Sequence, residues 1–152
     1  MMNNASFNVV AIGNAIVDVL ASVDYNFLRQ MGFEKGSMSL IDAKTASTLY
    51  DKMQIQNECS GGSVANTVSW LSSLGGKSAF VGKVTDDSLG GIFRENIRKL
   101  GVTFDTEPLK SSPATARCLI FVTPDAERTM QTYLGACAEL SPKDIDEQLI
   151  AS

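Results

Sequence analysis

The chain has 152 residues, 44% hydrophobic and 20% charged, with 13 Lys plus Arg against 17 Asp plus Glu for a net charge of −4. That apolar content suits one globular domain with a buried core, and the acidic balance without any basic run excludes nucleic-acid backbone binding. There is no histidine, so Ser-His-Asp and Cys-His catalysis are excluded within the chain and its chemistry falls to carboxylates, backbone amides and arginine.

Residues 1–10 lack a positive n-region and a cleavable apolar stretch, and no apolar segment approaches membrane-spanning length, so a cytoplasmic protein is expected. Residues 7–12 (FNVVAI) are a β-branched apolar run that predicts a buried first strand, stopped by the turn-forming pair Gly13-Asn14. Residues 16–23 continue as an apolar stretch broken by one charge, Asp18. A solvated edge-strand carboxylate is one reading, but the flanking Val17, Val19 and Leu20 favour a buried, partnered one. Buried carboxylates need donors, and ligand hydroxyls supply them.

Residues 32–41 (GFEKGSMSLI) read as an edge strand or flap, and Asp42 N-caps a helix running to about Met53. After an extended segment at 54–59, Gly61-Gly62-Ser63 opens a helix over 64–74, in which Val64, Val68 and Leu71 fall three or four apart. Gly75-Gly76 ends it, 78–81 is a short strand, and Asp86-Asp87-Ser88 caps a helix over 89–100. Beyond Gly101, residues 102–104 form a brief strand, and 115–122 and 128–134 form an antiparallel hairpin through Thr123-Pro124-Asp125. Ser141-Pro142 starts a further helix, with Ser as N-cap and Pro in first position. Only eight residues follow Asp144, so the chain is expected to stop inside an element. Alternating strands and helices predict a parallel α/β sheet, with no repeat or linker dividing it. Cys59, Cys118 and Cys137 are odd in number and widely spaced, so they predict reduced, mostly buried thiols and neither a disulfide framework nor a zinc site.

Three patterns carry chemistry: Gly13-Asn14 with Asp18, Gly61-Gly62-Ser63 with Asn66, and Gly82 followed by Asp86, Asp87 and Gly90. A glycine pair at a strand-to-helix turn lets backbone amides approach a ligand closely, and Asn66 presents an amide one turn into the helix. On spacing alone, a plain tight turn with a polar helix residue is an equally good reading.

Together these patterns resemble the ribokinase-like pfkB kinases, whose first signature is a glycine pair, an Asn and later glycines, as in GGSVANTVSWLSSLGGKSAFVGKVTDDSLGG over 61–91. VVAIGNAIVD resembles the family's first strand and sugar site, and ATARCLIFVTPDAERTM its later hairpin, so the likeness covers the whole chain. The resemblance implies a Rossmann-like, mostly parallel sheet flanked by helices with a small β lid. Residues 1–152 would be the N-terminal substrate-binding part, with lid strands at about 18–41 and 115–134. Segment 27–53 is similar to the adenosine kinase lid region, which favours a nucleoside over a free sugar. The resemblance assigns Asp18 to vicinal ribose hydroxyls, with Asn14, Gly61, Gly62, Ser63 and Asn66 completing the grip. Leu40, Leu134 and Ala136 would line the apolar wall against the base, or serve as ordinary core packing. Arg128 would contact phosphate, or stand at the surface beside Glu127.

The family's second-half DTxGAGD-like segment, which carries the catalytic Asp, and its NxxE motif, associated with magnesium, are not in this sequence, nor is a GxxxxGK loop. ATP and Mg2+ therefore belong to the complete enzyme, with no metal site expected here, and the chain alone is expected to be an inactive N-terminal fragment. The alternatives are a non-catalytic nucleoside- or sugar-binding module and a ligand-free remnant. A homodimer through the lid or an exposed sheet edge is the candidate assembly.

Overall fold

The β-branched run after Phe7 forms β1 (Val9–Ile12), and Gly13-Asn14 turn the chain into β2 (Ile16–Ser22). The computed structural model describes residues 6–151, so the part of the expectation about a leader that falls on residues 1–5 lies outside the described residues. β2 alternates: Val17, Val19 and Ala21 are buried, while Ile16, Asp18 and Leu20 on the opposite face are half-buried.

A helix that the sequence reading did not anticipate follows, α1 (Tyr25–Met31). Asp24 caps it by accepting from the Phe27 amide at 2.8 Å, and Gly32 ends it at φ 68. Both punctuation marks stand in the sequence, but only Leu28 is buried, so no apolar stripe reveals the helix between them. β3 (Met38–Leu40) is the expected edge strand. Asp42 caps α2 (Ala43–Lys52), which buries Ala46 and Leu49 and leads to β4 (Asn57–Gly61).

Then follow α3 (Ser63–Ser73), the wholly buried β5 (Ser78–Val81), and α4 (Ser88–Lys99). Asp87 is the cap of α4: its carboxylate accepts from the Gly90 amide at 2.8 Å and from the Thr115 hydroxyl at 2.7 Å. β6 (Val102–Thr103), β7 (Ala116–Val122) and β8 (Arg128–Tyr133) complete the strands, with β7 and β8 forming the predicted hairpin.

The helix expected from Ser141-Pro142 is not formed as such. A single 3-10 turn, Pro142–Asp144, stands there, and α5 (Glu147–Ala151) begins only later. The Asp144 carboxylate accepts from the Ser141 amide and hydroxyl, both at 2.9 Å, and also pairs with Lys83 across to the end of β5. Drawn two ways, it anchors the turn while Ile145 leaves in an extended conformation with ψ 113.

Four of the six strand pairings are parallel, as the alternating pattern predicts. They divide into two sheets: an all-parallel one ordered β1-β5-β6, and a mixed one ordered β3-β8-β7-β2-β4. Among the described residues β1 pairs along one edge only, and its Val9 and Ile12 are 41% and 50% exposed. The core joins the sheets through α4, whose Phe93 meets Phe80 and Phe104 with ring centroids 6.0 and 5.3 Å away. Behind the mixed sheet, Arg117 lies between the rings of Tyr50 and Tyr133 and donates to the Ser47 hydroxyl at 2.8 Å, tying α2 to β7 and β8. Tyr50 in turn donates to Glu58 at 2.6 Å, and burial, reinforced by that carboxylate, pushes the phenol up to about 12. The three cysteines are free thiols, Cys118 and Cys137 buried and Cys59 half-buried. No helix among the described residues is long and apolar enough to cross a membrane.

Phe93→Ala removes the ring at the centre of the aromatic trio. The expected loss is about 3–5 kcal/mol in denaturant unfolding, through the cavity it leaves.

Candidate functional site

Strand register brings five distant residues into one line. Cys59 on β4, Asp18 on β2, Cys118 on β7, Thr132 on β8 and Leu40 on β3 stand opposite one another across the whole mixed sheet. Laterally paired side chains leave a sheet on the same side, so one face carries thiol, carboxylate, thiol, hydroxyl and isobutyl groups in that order. A second line of paired residues on that face is Leu20, Ile120, Met130 and Met38, and beyond it Arg128 pairs with Val122. Met38 and Leu40, at the β3 edge, are 58% and 62% exposed, so this side of the sheet is open there.

The carboxylate has a prepared seat. A Cβ on Gly61 would fall on the Asp18 carboxylate, so only a glycine at 61 leaves room for it. Gly62 sits at φ 95, and a Cβ there would meet the Asn14 carbonyl oxygen at 2.5 Å. The glycine pair thus lets the β4–α3 turn close onto Asn14 and Asp18 together. Ser63 is the exposed first residue of α3, whose N-terminus has no side-chain cap among the described residues. Its first-turn amides are therefore donors available to a ligand at the positive end of the helix.

Burial holds the Asp18 carboxyl above its ordinary range, and the positive charge of Arg128 pulls it partly back. Burial also pushes both neighbouring thiols up, Cys59 and Cys118, and the charge on Asp18 adds to this. Both therefore stay protonated beside the carboxylate at neutral pH. Thr132 donates to the Cys118 sulfur at 3.3 Å, which fixes the middle of the line.

The remaining predicted residues are placed less uniformly. Asn66 lies one turn into α3, exposed, beside a surface groove that it lines with Ser69, Trp70, Ser73 and Leu100. Leu134 is half-buried where β8 ends, and Leu40 is open. Ala136 is 0% exposed, its amide donating to the Ala114 carbonyl at 2.9 Å, so of its two readings the methyl fits core packing. Arg128 is exposed on the Asp18 face. Sequence reasoning missed Cys59 and Cys118 as neighbours of Asp18, and Thr132, Met130 and Met38 as sharing its face. Period-two alternation in ARCLIFV and RTMQTY tells which of them share a face, but only strand register tells which stand beside the carboxylate. No group of three or more His, Cys, Asp or Glu among the described residues could hold a metal ion.

A family model described as pfkB family carbohydrate kinase matches residues 7–152. The crystal structure of adenosine kinase from Sinorhizobium meliloti is 51% identical and superposes with a TM-score of 0.89, covering 97% of this chain and 45% of that one. A probable sugar kinase from Rhizobium etli CFN 42 is 47% identical with a TM-score of 0.88, covering 95% and 44%. A fructokinase of Solanum tuberosum is 34% identical over 94 residues, 60% of this chain and 30% of its own length. The chain spans less than half the length of each of these relatives.

Asp18 carries a stability cost with a definite sign. Burial penalises its charged form only in the folded state, so the penalty is present when both states are ionised and vanishes once both are protonated. Asp18→Asn is therefore expected to raise the melting temperature at pH 7, with the difference shrinking as pH falls through the raised titration of Asp18 towards the ordinary aspartate range. Gly61→Ala should cost about 1–3 kcal/mol in chemical denaturation by displacing the carboxylate, and less when Asp18 is also Ala.

Proposed function

Because the chain belongs to the pfkB family of carbohydrate kinases, we propose that it is the substrate-binding part of a kinase that phosphorylates the 5'-hydroxyl of a nucleoside, adenosine foremost. One observation supports this most: a half-buried carboxylate seated over Gly61, beside uncapped helix amides, on the same open face as exposed Met38 and Leu40. The two oxygens of a carboxylate match a vicinal diol, each accepting one hydroxyl. Asn14, Gly62, Ser63 and Asn66 complete the grip on the ribose. Leu40 and Leu134, with Met38 and Met130, provide the apolar surface for the base. The strands at about 18–41 and 115–134 act as the lid.

In this reading the chain binds and orients. In-line transfer from ATP needs a base for the accepting hydroxyl, amides for the phosphates and a divalent cation. The described residues contain no group of three or more His, Cys, Asp or Glu that could hold a metal ion by itself, and no step is routed through magnesium. The elements for ATP are expected from sequence that this chain does not contain, and the chain alone should not turn over ATP. A second reading, a free sugar as acceptor, draws support from the fructokinase and sugar-kinase relatives.

Calorimetry of the chain with adenosine, ribose and fructose separates these readings. Adenosine should bind most tightly, and Asp18→Ala should weaken it by about 10–150-fold, the worth of a charge-assisted hydrogen bond of about 1.5–3 kcal/mol. Fructose binding alone moves the assignment to a sugar kinase. Unchanged adenosine affinity in Asp18→Ala removes the carboxylate from the site.

A further inference from the structure

A side-chain bridge crosses the back of the mixed sheet behind the strand that carries Asp18. Tyr50 on α2 donates its phenol to the Glu58 carboxylate on β4 at 2.6 Å, and its ring centroid lies 5.2 Å from the Arg117 guanidinium on β7. β4 and β7 are the two neighbours of β2, one on each side. A side chain that touches both must therefore pass behind β2. There it meets the face of Val19, paired with Glu58, and of Val17, paired with Arg117, which is the face turned away from Asp18.

Asp18 stands between those two valines in sequence. Its lateral partners are Cys59 and Cys118, each the next residue after one that Tyr50 holds. The bridge thus grips the sheet immediately behind both flanks of the carboxylate. β7 is also secured in other ways: it pairs with β2 and β8, and Arg117 donates to Ser47 at 2.8 Å and lies 6.0 Å from the Tyr133 ring. β4 is an edge strand, paired with β2 alone among the described residues and packed by α4. It ends at Gly61, whose bare α-carbon seats the carboxylate. A small outward movement of β4 would open that seat and leave the rest of the sheet in place.

Burial, with the Glu58 carboxylate, pushes the phenol up to about 12, so Tyr50 remains a donor throughout the neutral range. A carboxylate accepting a phenolic proton makes a charge-assisted bond, stronger than a neutral one. Resting on the diol-binding reading of the site, we propose that Tyr50 is a positioning residue for the Asp18 seat: through Glu58 it holds the edge strand β4 against β2, so that Gly61 closes on the carboxylate. Tyr50 acts from the face opposite the ligand. Its hydroxyl carries the effect, because the ring contact with Arg117 survives in phenylalanine.

Cys59 reports on β4 because it is half-buried, whereas Cys118 and Cys137 are buried and report on the molecule as a whole. The test is iodoacetamide labelling of the folded 152-residue chain, read thiol by thiol by mass spectrometry. The variants are Tyr50→Phe, Glu58→Ala, Glu58→Gln and the double Tyr50→Phe/Glu58→Ala. Tyr50→Phe and Glu58→Ala should each speed labelling of Cys59 by about tenfold, the scale of one charge-assisted hydrogen bond, and leave Cys118 and Cys137 as slow as before. Glu58→Gln loses the charge but keeps an acceptor, so it should lie nearer to wild type than to Glu58→Ala, and the double variant should go no further than either single one. An unmoved Cys59 in Tyr50→Phe, Glu58→Gln matching Glu58→Ala, effects that add in the double variant, or equal acceleration of all three thiols overturns the proposal. Adenosine calorimetry supplies the second readout. Affinity should fall by about tenfold in Tyr50→Phe, and full affinity alongside a freed Cys59 also overturns it. If Cys59 is freed but the wild type binds no diol, the hold of Tyr50 on the seat stands and the diol-binding reading alone falls.

Discussion

The site depends on one steric fact, the fit of the Asp18 carboxylate against the bare α-carbon of Gly61. Antiparallel pairing of β2 with β4 sets this contact, with Ile16 opposite Gly61 and Asp18 two positions along. Any side chain at 61 would expel the carboxylate. The next glycine, at φ 95, then folds the chain down onto the Asn14 carbonyl and starts α3 at once. Two adjacent glycines thereby perform separate tasks: the first makes room for a charge, and the second aims a helix end at it.

The mixed sheet divides its labour between faces. One face is closed by Val17, Val19, Leu119 and Phe121 against the core, with Arg117 clamped between Tyr50 and Tyr133 to hold α2 in place. The other presents chemistry graded from thiols and carboxylate near β4 to thioether and isobutyl groups at the β3 edge. A rigid rear is what allows an open front to hold its geometry, since the strands cannot shift register without exposing the packed side. The raised titration of Asp18 is the local cost of the arrangement, since burial penalises the charged carboxylate.

Much of this was readable beforehand because the signals were local. A single charge inside an apolar strand marked Asp18, a glycine pair before an apolar helix marked the turn, and aspartates preceding helices marked the caps of α2 and α4. The rest was hidden because it depends on distance in space. α1 buries one residue and so leaves no stripe. Ser141-Pro142 has the chemistry of a helix start and its capping box forms, yet the turn stops after three residues, with the other Asp144 oxygen paired to a distant partner, Lys83. Ala136 sits three residues beyond a strand, where nothing local distinguishes an inward methyl from an outward one. The line from Cys59 to Leu40 pairs residues up to 100 positions apart, Asp18 with Cys118, and no period within one segment encodes it.

The uncovered margin of β1 has a consequence for handling the molecule. A short, β-branched strand whose outer edge is unpaired among the described residues, with Val9 and Ile12 about half exposed, is a docking rail for an extended peptide in the same orientation. A second copy presented in parallel would find that margin open among the described residues. Dilution during refolding makes such encounters rarer, and a capping peptide supplied in trans covers the rail itself.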